Sequence, residues 1–317
     1  MRVIFMGTPD FAQGTLQALI NSKHEVVLAV TQPDRPKGRG KALAFPPVKE
    51  TAIEAGIPVF QPERIKTPEA VEYLRSFEAD VIVVVAFGQI LSKDILDMPK
   101  YGCINVHASL LPKYRGASPI QWAVIDGEEQ TGVTTMRMDE GLDTGDMILV
   151  KTYELEKKET GGSLFDHLMD IGAQACLETL QQLEEGTAVY TPQNHEEATK
   201  TGLISKELGH LNFDKSAVEL ERLIRGLNPW PSAFTYLNGK MFKIWDGDVV
   251  PQEEYKNGKN GEIIHVDKEH IYIQTGKDIL KLNEVQPEGK RRMSCGEFLR
   301  GYAQSTGTIL GFAGAEE

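Results

Sequence analysis

The chain has 317 residues, 41% of them hydrophobic and 25% charged, with a formal net charge of −12. That length exceeds one ordinary core and predicts two domains of a soluble globular protein. No apolar run approaches the roughly 20 residues of a membrane span, and the acidic balance argues against a nucleic-acid partner except where basic residues gather locally. Cys103, Cys176 and Cys295 lie far apart, without metal or framework spacing, and are expected as reduced thiols in a cytoplasmic protein. The first residues contain no long apolar h-region, so no secretory signal is expected.

Residues 3–6 (Val-Ile-Phe-Met) predict a short buried strand. Thr8-Pro9-Asp10 then supplies turn and cap chemistry for a helix carrying Phe11, Leu16, Leu19 and Ile20. A second strand is predicted at 26–30. Between 31 and 50 stand five basic residues (Arg35, Lys37, Arg39, Lys41, Lys49) against Asp34 and Glu50. Composition alone explains that cluster, and a second between 277 and 300, as solvated surface. Yet the loop at 34–41 is long for a strand-to-helix connection, where roughly two to six residues are usual.

Residues 81–86 (Val-Ile-Val-Val-Val-Ala) are the unbroken apolar run of a strand covered on both faces. Strands follow at 102–107, 132–138 and 147–153. An amphipathic helix at 163–183 repeats Leu164, Phe165, Leu168, Met169, Leu177, Leu180 and Leu183 on a helical period. This alternation predicts an α/β domain over residues 1–189, built on a doubly wound, mostly parallel sheet. Residues 190–207 are rich in turn formers and read as a linker. Residues 208–317 begin with a helix at 216–227. Short strands at 233–237, 240–244, 261–265, 270–275 and 278–282 follow, which predicts a small β-barrel.

The most informative segment is Cys103-Ile104-Asn105-Val106-His107-Ala108-Ser109-Leu110-Leu111-Pro112. Strand side chains alternate, so Asn105 and His107 project to one side and Val106 to the other. Pro112 stops further ladder pairing. Aligned polar groups at a strand end, followed by a rigid loop, are how an open α/β sheet builds a site. Asn-x-His alone is a weak signal, since a single Asn or His there is more often a structural hydrogen-bonder. Asp143 lies further along in Gly-Leu-Asp-Thr-Gly-Asp, whose glycines allow close backbone approach. Its bland role, and that of Asp146, is an Asx-type turn cap. Other chemistries lack their motifs. Gly38-Arg39-Gly40-Lys41-Ala42-Leu43 misses the third glycine of a dinucleotide loop, and neither a P-loop nor a Gly-x-Ser-x-Gly elbow occurs. Seven histidines show no paired ligand spacing, so no metal is expected.

Asn105-Val106-His107 running directly into Ser109-Leu110-Leu111-Pro112-Lys113-Tyr114-Arg115-Gly116, together with the Asp143 loop, resembles the folate-dependent formyltransferases. Residues 31–41, Thr191-Pro192-Gln193 and Asn228-Pro229-Trp230-Pro231 are similar to the members that act on methionyl-tRNA. The resemblance implies a Rossmann-like catalytic domain and an OB-like β-barrel domain that contacts tRNA. The implied reaction moves the formyl group of 10-formyltetrahydrofolate to the amino group of methionine on initiator methionyl-tRNA, for translation initiation. Catalytic roles are implied for Asn105, His107 and Asp143. Folate binding is implied for Phe87, Gly88, Gln89 and Leu91 and for Ser109, Leu110, Leu111 and Pro112. Arg35, Lys37, Arg39 and Lys41 are implied to bind tRNA, with Arg39 reading the unpaired end of the initiator. A monomer without membrane attachment is expected.

In such a transfer the amine attacks the formyl carbon and the carbonyl oxygen gains negative charge. An amide donor such as Asn105 is typically worth roughly 3 kcal/mol to that oxyanion. His107 can donate to the same oxygen or move protons between the amine and the departing nitrogen, and Asp143 can orient the imidazole. Two other classes stay open. A hydrolase freeing formate from the same folate would betray itself by formate release without an acceptor. A non-catalytic RNA-binding protein is disfavoured by the complete Asn105–His107–Asp143 set. Other acceptors within formyl transfer do not explain a basic loop together with a barrel.

Overall fold

A strand without polar alternation must be covered on both faces, and Val81–Val85 is buried at every position. In the computed structural model, which describes residues 1–37 and 42–311, this strand lies inside a seven-stranded sheet. The chain opens with β1 (Arg2–Gly7), α1 (Asp10–Ile20) and β2 (Glu25–Val30). A hairpin of β3 (Arg35–Lys37) and β4 (Ala42–Ala44) follows, then α2 (Pro47–Glu54), β5 (Val59–Phe60) and α3 (Pro68–Arg75). Next come β6 (Val81–Val85), α4 (Lys93–Leu96), β7 (Cys103–His107), β8 (Arg115–Gly116) and α5 (Pro119–Asp126). β9 (Gln130–Arg137), β10 (Met147–Glu154) and α6 (Gly161–Glu185) complete this part.

Across the sheet the order is β10-β9-β7-β6-β1-β2-β5. Strands β7, β6, β1, β2 and β5 run parallel, and β9 and β10 are antiparallel at one edge. This is the doubly wound, mostly parallel sheet expected. The chain builds outward from β1 through β2 to β5, then returns to the other side of β1 with β6. The switch point between β1 and β6 opens a crevice at their carboxyl ends, the usual ligand position in such sheets. One face of the sheet buries Ile4, Met6, Leu28, Val30, Ile82 and Val84 together with Leu74 and Ile95. On the other face a side chain at Gly172 of α6 would press on Val106 and Val133, so the helix rides close over β7 and β9.

Two compact units are present. The first comprises Met1–Pro119, Gln130–Glu154 and Phe165–Thr201, the second Ile120–Glu129, Leu155–Leu164 and Gly202–Glu317. The segment from 190, read from the sequence as a linker, is structured up to Thr201. Thr191 exchanges backbone bonds with Met147, Gln193 is buried, and β11 (Lys200–Thr201) pairs in parallel with β8. Hydrogen bonds hold it rather than apolar contacts, so its sequence shows turn formers and no periodicity.

In the second unit, Ser216 and Glu219 form a capping box on α7 (Ala217–Gly226). Its Leu220, Leu223 and Ile224 pack into one core with the strands that follow. Those are β12 (Ala233–Leu237), β13 (Lys240–Val250), β14 (Ile263–Val266), β15 (Ile271–Gln274), β16 (Ile279–Pro287) and β17 (Met293–Ser294), before α8 (Cys295–Gly301). The antiparallel sheet runs β12-β13-β16-β15-β14, with β17 added to β16. Asn238-Gly239 makes the β12–β13 turn with positive φ at both residues, which that tight turn type demands. β13 continues past the expected end at 244, because register shifts at Ile244–Gly247 absorb the Asp-Gly-Asp stretch as bulges. The ends of this path, β12 and β14, do not pair with each other among the described residues.

All three cysteines are buried free thiols, and burial pushes each up to about 12. Among the described residues no helix is long and apolar enough to cross a membrane. Nor do three or more His, Cys, Asp or Glu side chains gather there as a metal site.

Candidate active site

β7 delivers Asn105 and His107 on one side of the sheet, as alternation requires, and both are more than nine-tenths buried. Asp143 comes to them from the loop between β9 and β10. Its Oδ1 accepts from Asn105 Nδ2 at 3.2 Å, its Oδ2 accepts from the Gly116 N–H at 2.7 Å, and Oδ2 stands 3.8 Å from His107 Nδ1. The three residues read from the sequence as catalytic therefore form one cluster. Asn105 spends one of its two amide hydrogens on Asp143, leaving a second for a carbonyl oxygen. The other imidazole nitrogen, Nε2, lies 2.8 Å from the Tyr114 carbonyl. A carbonyl only accepts, so Nε2 carries hydrogen, and Nδ1 is the nitrogen that faces Asp143.

The backbone around this cluster is strained. Ala86 at the end of β6, Tyr114 and Asp143 all have φ between 46° and 58°. Non-glycine residues rarely adopt this left-handed region, at a cost of order 1–3 kcal/mol each. Left-handed Tyr114 sits where its carbonyl meets the imidazole, and left-handed Asp143 where its carboxylate meets Asn105 and Gly116. Two of these three residues, Tyr114 and Asp143, thus aim polar groups into the cluster from a strained backbone, as pre-organised sites do.

A family model described as "Formyl transferase" matches residues 1–180, and "Formyl transferase, C-terminal domain" matches residues 203–303. The chain belongs to the formyl transferase family. A curated relative from Agathobacter rectalis, "Methionyl-tRNA formyltransferase", is 65% identical over 98% of this chain and 99% of its own. One of the same name from Lachnospira eligens is 58% identical over 98% of this chain and 100% of its own. Among solved structures, the sugar 3N-formyl transferase WlaRD, crystallised in the presence of dTDP and 5-N-formyl-THF, superposes with a TM-score of 0.64. It is 18% identical, over 92% of this chain and 99% of that one.

The other expected site residues of this formyltransferase fall into distinct groups. Ser109 is fully buried, and its hydroxyl donates to the Lys113 carbonyl at 2.8 Å. Its own carbonyl accepts from Thr134 Oγ1 at 2.7 Å, and the same hydroxyl oxygen accepts from the Leu111 N–H. Ser109 therefore shapes the loop after β7. Leu111 is also buried, while Leu110 and Pro112 are partly exposed. In the loop after β6, Phe87 and Leu91 turn inward and Gly88 is exposed. The Phe87 carbonyl accepts from Thr8 Oγ1 and from Gln32 Nε2, which ties together the loops after β1, β2 and β6 at the switch point. Gln89 accepts from Ile65 N and donates to the Pro62 carbonyl, so it braces a neighbouring loop.

Of the four expected tRNA contacts, Arg35 is exposed on β3 and Lys37 ends that strand, where the backbone pairs with Ala42. Arg39 and Lys41 lie outside the described residues. The loop expected at 34–41 is thus, where described, the first arm of a β-hairpin. At its base Lys49 Nζ meets Asp34 Oδ2 at 2.6 Å and Gln61 donates to Oδ1, bonds that hold the Asp34 carboxyl below its usual range. Lys49 is therefore spent within the fold. A cavity of about 470 Å³ beside the hairpin is lined by Thr8, Gln32, Arg35, Phe45 and Gly88 among others.

Sequence reasoning assigned no role to Arg115 or Gln193, both buried and both bonded into the Asp143 cluster. Each lies inside a segment that carries the resemblance. An isolated glutamine after a proline carries no chemical signal until the fold brings it to its partners.

Proposed function

We propose that this formyltransferase moves the formyl group of 10-formyltetrahydrofolate to the amino group of methionine on initiator methionyl-tRNA. The observation that carries the reading is the 65% identity, over 98% of the chain, to a protein named methionyl-tRNA formyltransferase. The polar cluster on β7 supports the chemistry. The amine attacks the formyl carbon, and the second amide hydrogen of Asn105 stabilises the oxyanion as charge develops. His107 takes the amine's proton at Nδ1 and passes it to the folate nitrogen as the bond from that nitrogen to the formyl carbon breaks, because its Nε2–H is committed to the Tyr114 carbonyl. Asp143 holds the Asn105 amide by a hydrogen bond and faces His107 Nδ1 at 3.8 Å. The folate lies in the crevice between β1 and β6, against the backbone at Gly88 and beside Leu110 and Pro112. Arg35, Lys37, Arg39 and Lys41 hold the tRNA acceptor end.

The test is formyl transfer from 10-formyltetrahydrofolate to initiator methionyl-tRNA, uncharged initiator tRNA and a small amine, measured in parallel. Rapid transfer to the charged tRNA alone is expected. Formate release at the same rate with or without acceptor overturns the reading in favour of a hydrolase.

A further inference from the structure

The strand β9 is antiparallel to β7, with Met136 opposite Asn105 and Arg137 opposite Ile104. The chain therefore leaves β9 at the amino-terminal end of β7, away from the crevice, and the Met138 N–H is still bonded to the Cys103 carbonyl. Asp143 reaches Asn105 and His107 only because its loop folds back along the sheet. β9 holds the far end of that loop, where the Arg137 N–H bonds to the Asp146 carbonyl at 2.9 Å, while Asp143 itself stands at a φ of 54°.

One side chain spans the gap. Gln193, 5% exposed, donates from Nε2 to the Asp143 carbonyl at 2.9 Å and to the Gly145 carbonyl at 2.7 Å, using both amide hydrogens. Its Oε1 accepts from Arg115 Nε at 3.0 Å and Nη2 at 2.7 Å. Arg115 is itself 4% exposed and directs Nη2 to His195 Nδ1 at 3.2 Å. Arg115 also stands between the two residues whose backbone meets the cluster, Tyr114 at His107 and Gly116 at Asp143. The same returning segment binds that stretch: Thr199 Oγ1 accepts from Tyr114 N at 2.8 Å, and the Thr199 carbonyl accepts from Arg115 N at 2.9 Å.

We infer that Gln193 is a positioning residue for the reaction: its amide locks the Asp143 loop to the buried Arg115 and so sets the carboxylate against Asn105 and His107. This deepens the formyl-transfer reading and rests on it. Gln193 meets the loop backbone and takes no part in the chemistry itself, so its loss acts through Asp143.

A double-mutant cycle on the full chain tests this. Gln193→Leu should lower kcat by about thirtyfold while the KM for methionyl-tRNA stays within about threefold. In an Asp143→Asn background the same change should cost less than about threefold, because the group it positions is already impaired. Gln193→Glu keeps the acceptor for Arg115 and loses both donors to the loop. It should fold, at a thermal midpoint lowered by the two lost hydrogen bonds, and lose kcat as Gln193→Leu does; it also serves in the cycle should Gln193→Leu not fold. Equal fold-losses in the two backgrounds, or Gln193→Glu at the parent rate, overturn the inference. A parent enzyme that transfers no formyl group at all overturns the proposed function instead.

Discussion

Asp143→Asn removes one carboxylate oxygen and the charge while keeping the size of the side chain and the tolerance of asparagine for a left-handed backbone. The carboxylate now serves two donors, Gly116 N–H at 2.7 Å and Asn105 Nδ2 at 3.2 Å. An amide has a single acceptor oxygen, and the shorter bond should retain it. The new NH2 then faces the Asn105 NH2, donor against donor, and Asn105 swings out of line. A hydrogen bond to a charged group contributes about 1.5–3 kcal/mol, and each 1.36 kcal/mol lost from transition-state stabilisation is about tenfold in rate. Loss of one such bond therefore lowers kcat by about ten- to a hundredfold. If the whole amount is also lost from the folded state, the thermal midpoint falls by about 3–12 °C, at roughly 2–4 °C per kcal/mol. Single-turnover formyl transfer at saturating substrates, alongside thermal unfolding, measures both. A kcat within threefold of the parent would show that Asp143 is a turn cap with no part in the reaction.

Three further outcomes are expected. Gly116→Ala should destabilise the protein by about 1–3 kcal/mol and depress formyl transfer, since residue 116 has a φ of 104° and a side chain there would come within 2.5 Å of the Thr201 carbonyl; an unchanged midpoint on thermal unfolding refutes this. Burial works to raise the Asp267 carboxyl, but bonds from the Glu269 and His270 amides and the Tyr272 hydroxyl prevail and hold it at about 2, against an ordinary 3.8. Its stabilisation is thus complete above 3.8 and disappears as the pH falls through about 2, so the gap in thermal midpoint between the parent and Asp267→Asn should be largest near neutrality and close in acid. Arg35→Ala and Arg39→Leu should each raise the KM for methionyl-tRNA, with a salt dependence flattened by about one charge for Arg35→Ala; transfer to a small amine should not change, and a tRNA KM equal to the parent's in both variants removes the hairpin from the interface.

The parts of the fold that could be read from the sequence are those held by apolar pattern. Val81–Val85 declares itself as a doubly covered strand because every residue is apolar and buried. Asn105 and His107 share a face because β7 is regular and alternation is strict. The hairpin of β3 and β4 stayed hidden: its arms are Arg-Pro-Lys and Ala-Leu-Ala, three residues each, with no alternation to betray them. Helices α2 and α3 have only eight residues and few apolar positions, too few to establish a period. Gln193 and Arg115 were illegible as site residues for a different reason. Their partners lie far away in sequence, so no local pattern encodes the contact.

The returning segment also sets an order of events during synthesis. Asn105 has met Asp143 once residue 143 is available, but the carbonyl of Asp143 waits for Gln193, and the Tyr114 amide waits for Thr199. A nascent chain released as far as residue 180 holds the whole seven-stranded sheet, and every strand of it can pair. It nevertheless lacks the piece that closes the loops around the imidazole. Closure of the loops around the imidazole thus comes after the sheet, late in building the first unit, since contacts between distant positions form only once the later one has emerged.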